Sequence, residues 1–527
     1  AMEIQKKLKE LMCRKPEQKI VYYPEFDSQE ELASHYYRAC WYFPAQNNHC
    51  AKVHLYKTSD ITLGSRPQHM GSSRAPTDHI RIQTNLSKIT KDAENAAVVL
   101  LWKKCDSEWM NRLQRKGVKV INIDTNDESA AEYGRYCDLI WRYFKTEEEK
   151  KKIIQESYNR FVCYADQIRA KGWKTGCVFG TGPSLETAEQ FDFSNCVCVV
   201  CNSIVQNEKL LSHIKPQFVT AGDVVSHLGV SLYAETFRND LIRYLKNSEA
   251  YYLTTAPFGY LLLEQCPEIA DKVILAEQVM DEPNYDLIRL FGLPKLDSTF
   301  NIHMLPIIHT FCDNIFILGC DGKSKTRSNE DFWAHAQDAQ YFELVRSGHI
   351  CHPTFDRNRK KNTYHRYQDS VLYSVSEGEK RHGKRYYTLQ QSYIDALENK
   401  KLPDELRKKY NADGQLVLSE IPDGVVRNTE AAAEVVENIK VKKENGGILV
   451  YGWVLSKGPC RIGVYVQGKL HGYAVWNLKR PDIQKKYPEY EMPFSGIYYY
   501  MDQVEISEVI CRIMDGTKIV QEKKYML

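Results

Sequence analysis

Lys174–Thr187 reads KTGCVFGTGPSLET. A short apolar run, Cys177 to Phe179, delivers the chain into Gly180-Thr181-Gly182-Pro183-Ser184. That is the pattern of a buried strand ending in a tight turn, with Pro183 placed to open a helix. Glycine lets the backbone approach a neighbour closely, and the first N–H groups of a helix lack partners and attract anions. The turn is not a P-loop, because no Gly-Lys-Ser or Gly-Lys-Thr follows. It is not a dinucleotide fingerprint either, because the third glycine is missing. A phosphodiester carries little charge and does not need the P-loop lysine, so the turn fits a singly charged phosphate.

Working outward, the runs GCVFG, CVCVVC, PQFVTAG, AYYLTT, KVILAE, NIFILGCD and KRYYTL read as short strands with helical stretches between most of them. Such alternation predicts a mostly parallel α/β domain over residues 171–412, with ligands held beyond the carboxyl ends of the strands. Gly180–Ser184, Asn202, Gly222–Asp223 and Asp321 then surround one cleft. Upstream, AAVVLLWKKCDSEWMNRLQRKGVKVINIDT is a β-α-β unit, and Thr146–Ala170 has helical spacing with acids early and bases late. Residues 1–170 are therefore a smaller α/β domain with a linking helix. Residues 413–527 turn to strand-like runs divided by Gly, Asp-Gly and Lys-Gly turns, which predicts a β-sandwich. Val425–Val441 is read as the link to it.

The chain has 527 residues, enough for about two to four domains. Its 71 basic and 68 acidic residues leave a net charge of +3, so there is no global footprint for nucleic acid. No apolar run reaches the ~20 residues that span a bilayer. The opening AMEIQKKLKELMCRK has no signal-peptide core, and the 16 cysteines lack a disulfide rhythm. The expectation is a cytoplasmic protein with reduced thiols, with peripheral association at the inner face of a membrane left open. In CVCVVCN (Cys196–Asn202) the cysteines alternate with valine as strand residues do, and HICHP (His349, Cys351, His352) lacks a second ligand pair at zinc spacing.

The order and spacing of these motifs resemble the bacterial sialyltransferases that use CMP-sialic acid. In that family a strand runs into G-N-G-P-S-L, here Gly180–Leu185, and a second strand ends in Cys-Asn, here Cys201-Asn202. A Thr-Ser pair opens a later helix, here Ser298-Thr299, and a strand ends in Gly-Ile-Asp, here Gly319-Cys320-Asp321. The family's base histidine precedes a helix and a strand, the place that His365 of NTYHRYQDSV takes, followed by Ser392. The resemblance spans about Gly176–Tyr393. Its first motif is shared with motility accessory factors and archaeal pterin pyrophosphokinases. The third segment, with Arg480-Pro481-Asp482 and Ser495-Gly496-Ile497, resembles the β-sandwich appended to bacterial surface-polysaccharide glycosyltransferases. Departures are Thr181 for an asparagine, Leu296 for an arginine and Phe300 for a glycine.

The resemblance implies a modified Rossmann-type glycosyltransferase domain. It would move a sialic acid or other 2-keto acid sugar from a CMP-linked donor to a glycan or glycolipid, with inversion. Gly180, Thr181, Gly182, Ser184, Asn202, Gly319 and Asp321 would hold the nucleotide, Ser298 and Thr299 the donor sugar, and His365 would act as base. Arg357, Arg359, Lys360 and Tyr364 belong to the basic run before His365, read as an anion-binding lid. No cofactor is required; Asp223 and Asp321 are the weak alternative as Mg²⁺ ligands. Two other readings stay open: an ATP- and Mg²⁺-dependent pyrophosphokinase acting on a pterin, and an inactive glycan-binding scaffold.

Overall fold

The computed structural model describes residues 17–44, 51–124, 126–127, 134–323, 334–352, 363–412, 414–422, 434–502 and 505–527. Among the described residues the chain is a mixed α/β protein with two large parallel sheets, two small sheets of two and three short strands, and a carboxyl-terminal antiparallel region. The first sheet contains β1 (Glu17–Tyr23), β2 (Lys52–Tyr56), β3 (Ile80–Gln83), β4 (Ala96–Leu101) and β5 (Lys119–Asn122), in the spatial order 3-2-1-4-5. All of its pairings are parallel, and the order reverses between β1 and β4. The β-α-β unit read from the sequence is β4, the helix Ser107–Arg115 and β5.

The second sheet is built from β6 (Thr175–Phe179), β7 (Cys196–Cys201), β8 (Phe218–Thr220), β9 (Tyr251–Thr255), β10 (Val273–Ala276), β11 (Asn314–Leu318) and β12 (Arg385–Thr388). Its order is 10-9-8-7-6-11-12, parallel throughout, so the chain walks one way from β6 to β10 and then crosses to β11 on the other side of β6. These are the seven runs picked out in the sequence. They read clearly because strands covered on both faces are continuously apolar: β6, β7, β8, β10 and β11 are buried at every residue. Cys196, Cys198 and Cys201 are buried free thiols inside β7, where cysteine acts as a small hydrophobe.

Between the two regions lies α1 (Glu147–Ala170), opened by a capping box in which Thr146 and Glu149 exchange hydrogen bonds. It was expected to link domains, and it is a shared wall. Ile154, Tyr158, Phe161, Ala165 and Ile168 are buried in the main core. Gln155 and Asn159 bond the backbone of Tyr500 and Tyr473, and both carboxylate oxygens of Asp166 accept from Arg461 Nη1.

The carboxyl-terminal region has two four-stranded antiparallel sheets. One pairs Val435–Glu444, Gly447–Ser456, Gly496–Met501 and Val475–Leu478; the other pairs Lys469–Tyr473, Arg461–Val466, Glu508–Asp515 and Lys518–Met526. Two sequence boundaries move. Val435–Val441, read as linker, lies in a strand paired across ten residue positions with Gly447–Ser456. Residues 414–421, assigned to the sandwich, belong to the central region: Leu416 and Val417 pair with Phe191 and Asp192, and Ile421 accepts from Asn314. Among the described residues no helix is long and apolar enough to cross a membrane.

Candidate functional site

The order of the central sheet reverses between β6 and β11, and a crevice lies beyond the carboxyl ends of these two strands. A cavity of about 640 Å³ occupies it, within the usual range for small-molecule sites. Gly180, Thr181, Gly182, Asn202, Asp223, Ser298, Thr299, Gly319 and Asp321 all line it. Four motifs spread over 140 residues of sequence thus meet at one place.

What the glycine turn holds first is its neighbour. Gly180 N–H donates to Leu318 O at 2.8 Å and Gly182 N–H to Gly319 O at 2.8 Å, so the loops after β6 and β11 are stitched backbone to backbone. A Cβ on Gly319 would lie 2.0 Å from Gly180 O, and one on Gly180 2.4 Å from Gly319 O. Gly319 also has φ of +76°, which favours glycine. The two glycines let these loops touch.

Ser184 has a partner other than the one the sequence suggests. Its N–H donates to Asp321 Oδ2 at 2.7 Å, its hydroxyl donates to Asp321 Oδ1, and its Oγ accepts from Gly319 N–H at 2.9 Å. The carboxylate of Asp321 therefore takes the anion position at the start of the 3₁₀ helix Pro183–Gln190. Burial raises its pKa, and the bonds from Ser184 oppose that rise. Asp223 caps the helix Val224–Leu228 by accepting from Ser226 N–H at 2.9 Å, and its Oδ2 lies 3.9 Å from His352 Nε2. Among the described residues no group of three or more side chains could hold a metal ion.

Asn202 and Ser298 both have left-handed backbone, with φ of 53° and 76°. Asn202 Oδ1 accepts from Gly222 N–H at 3.2 Å, and Ser298 Oγ accepts from the Asn301 side chain at 3.2 Å. Asparagine tolerates this region; for serine it costs ~1–2 kcal/mol, a strain that clusters at functional sites. Thr181 hydrogen-bonds His335 Nδ1 through Oγ1 at 2.9 Å, and its carbonyl accepts from Ala336 N–H.

His365 lies elsewhere. It stands on the helix α2 (Thr363–His382), is 69% exposed, and has Nδ1 3.6 Å from Asp369. Its neighbours Arg366 and Tyr367 line the cavity, whereas Tyr364 and His365 line a second cleft. Arg357, Arg359 and Lys360 lie outside the described residues. Sequence reasoning missed four imidazoles that line the cavity, those of His227, His335, His349 and His352. His349 and His352 were weighed as metal ligands only. His335, in WAHAQD, carries no local signal, because what brings it here is its contact with Thr181, 154 residues earlier. Burial, then the charge of His227, lowers the pKa of His335; burial also lowers that of His227, whose Nδ1–H donates to Asp223 O at 2.8 Å. Both rings are thereby kept neutral near pH 7.

Comparison of the chain with known protein families, with curated proteins and with solved structures finds no match.

Proposed function

We propose that the chain is a glycosyltransferase of modified Rossmann-type fold that moves a 2-keto acid sugar, a sialic acid or a relative, from a CMP-linked donor to a glycan or glycolipid. One observation carries this reading: the glycine turn, Asn202, the Ser298-Thr299 pair and Gly319–Asp321 line a single cavity where the sheet order reverses. Asn202 and the loop around Gly182 hold the nucleotide. Strained Ser298, with Thr299, faces the sugar. Arg366, whose Nε is 3.9 Å from Asp297, supplies a cation at the cavity wall.

In the reaction the acceptor oxygen bonds to the anomeric carbon as the bond from that carbon to the phosphate oxygen breaks. CMP leaves with the electron pair, and the configuration inverts. The acceptor's proton needs a base inside the cavity. We assign that role to His335, which burial holds neutral and Thr181 orients, in place of the exposed His365.

Calorimetric titration with CMP, CDP, UDP, GDP and ATP, with and without Mg²⁺, tests the reading. CMP is expected to bind without metal and CMP-sugars to turn over, with His335→Ala losing turnover by about 10²–10⁴-fold and His365→Ala keeping kcat while the acceptor KM rises. Preference for ATP with Mg²⁺ would move the assignment to a pyrophosphokinase. Binding of no nucleotide would leave a scaffold.

A further inference from the structure

A second cleft, of about 300 Å³, lies against the wall of the first and is lined by Lys323, Tyr364, His365, Gln368, Asp369, Leu372, Tyr393 and Asp395. We propose that it is a pyranose subsite that holds the acceptor; this rests on the glycosyltransferase reading.

Three features point to a neutral sugar. The first is exposed apolar surface: Leu372 is 54% and Tyr393 40% exposed, two of a small number of exposed large hydrophobic side chains among the described residues. An aromatic ring and a leucine offer a face for the C–H side of a sugar ring. The second is the polar rim. The carboxylates of Asp369 and Asp395 accept hydroxyl protons, while His365 and Lys323 add two further polar groups. Among the described lining residues two carboxylates stand against one ammonium, which favours an uncharged polyol over a phosphate. The third is rigidity. Tyr364 Oη accepts from Lys323 N–H at 3.0 Å and from Gln368 Nε2 at 3.1 Å, Asp395 N–H donates to Gln368 Oε1 at 3.1 Å, and Tyr393 N–H donates to Asp321 O at 2.6 Å. A site with pinned walls loses little entropy when it binds.

Its location gives the cleft a role. The helix α2 turns Arg366 and Tyr367 to the first cavity and Tyr364, His365, Gln368 and Asp369 to the second. Along the loop after β11, Asp321 and Gly322 line the first and Lys323 the second. The two spaces therefore abut across a single turn of backbone. A glycan seated on Tyr393 has its next residue directed to the nucleotide cavity, as acceptor and donor must be for transfer.

Saturation-transfer NMR with the methyl β-glycosides of galactose, glucose and N-acetylglucosamine tests this on the full chain, with CMP calorimetry run alongside on every variant. At least one glycoside is expected to bind, to weaken about tenfold in Tyr393→Ala, and to weaken also in the isosteric Asp395→Asn. CMP affinity should stay unchanged in both, which certifies that they are folded. Absence of binding by all three glycosides, or equal binding to wild type and to CMP-competent Tyr393→Ala, overturns the subsite. Glycoside binding at Tyr393 in a protein that takes no CMP would instead break the glycosyltransferase reading and leave a sugar-binding cleft.

Discussion

The two parallel sheets reverse strand order in the same way and finish the reversal differently. At the central crevice β6 and β11 run into Gly180 and Gly319, whose lack of side chains lets the loops clasp and leaves space above them. At the corresponding point of the first sheet β1 and β4 run into Tyr23-Pro24 and Trp102. There Trp102 stacks on Phe26 at 4.5 Å, Tyr23 stacks on Trp109 at 3.9 Å, and Trp102 Nε1–H donates to Pro24 O at 2.7 Å. One switch point is closed by aromatic rings; the other is held open by glycines. The topology offers a crevice twice, and the residue after the strand decides whether it becomes core or cavity.

The comparison can be broken most forcefully at Trp102. Its replacement by alanine should cost about 3–5 kcal/mol, as other buried aromatic truncations do, while CMP affinity in the folded fraction stays unchanged; urea denaturation and calorimetry measure the two. A parallel loss of affinity would mean that the aromatic switch point also supports the site. Next comes Gly319→Ala, which forces a Cβ to within 2.0 Å of Gly180 O at a positive φ. A loss of roughly 3 kcal/mol is expected, here accompanied by loss of CMP binding. Retained binding would separate the loop clasp from the site.

Acid should weaken both regions, each through its own buried histidine. His35, packed among Tyr22, Phe26 and Trp102, and His303, beside the central cavity, both have pKa values lowered by burial to about 3. Their folded values lie below the unfolded 6.5, so the unfolded chain binds more protons between these limits. Stability is complete above pH 6.5 and falls as pH drops, by about 2 kcal/mol for each histidine at pH 5. Urea midpoints measured from pH 7 to 5 test this, and His35→Asn should remove its own share, about 2 kcal/mol at pH 5, from a slope to which other buried imidazoles such as His309 also contribute. The smallest effect is at Asn202, whose replacement by alanine should weaken CMP about tenfold and lower stability by ~1–2 kcal/mol, because alanine takes a φ of 53° poorly.

The same contrast explains which parts of the fold could be read from the chain. Most of the central strands are buried at every residue and apolar over most of their length, and so they declare themselves. In the first sheet only β4 and β5 were legible, because β1 and β2 carry Lys19, His54 and Tyr56 where a buried strand would show aliphatics. All three side chains converge on Asp92, with Lys19 at 3.2 Å and His54 at 3.0 Å. No window of sequence contains that pairing. The site follows the same rule. The glycine turn, Asn202 and Asp321 are visible as strand endings, whereas His335 is held by long-range bonds from its segment to Thr181 and Glu186. Ser184 looked free for a ligand because its true partner, Asp321, is 137 residues away.

The wall between the central sheet and the carboxyl-terminal antiparallel sheets, α1, has a birth order. It emerges from the ribosome long before the strands that flank its second side: Asp166 waits for Arg461, 295 residues later. At about 5–20 residues per second that is a delay of roughly 15–60 s. The side that meets the central sheet is written in Ile154, Tyr158, Phe161 and Ile168, and its partners are made soon afterwards. The side that must wait is written in Lys152, Gln155, Asn159 and Asp166, which water satisfies until the antiparallel sheets arrive. The helix thus keeps its late-paired face wettable, and a nascent chain stalled before residue 434 has no greasy stripe there to offer its neighbours.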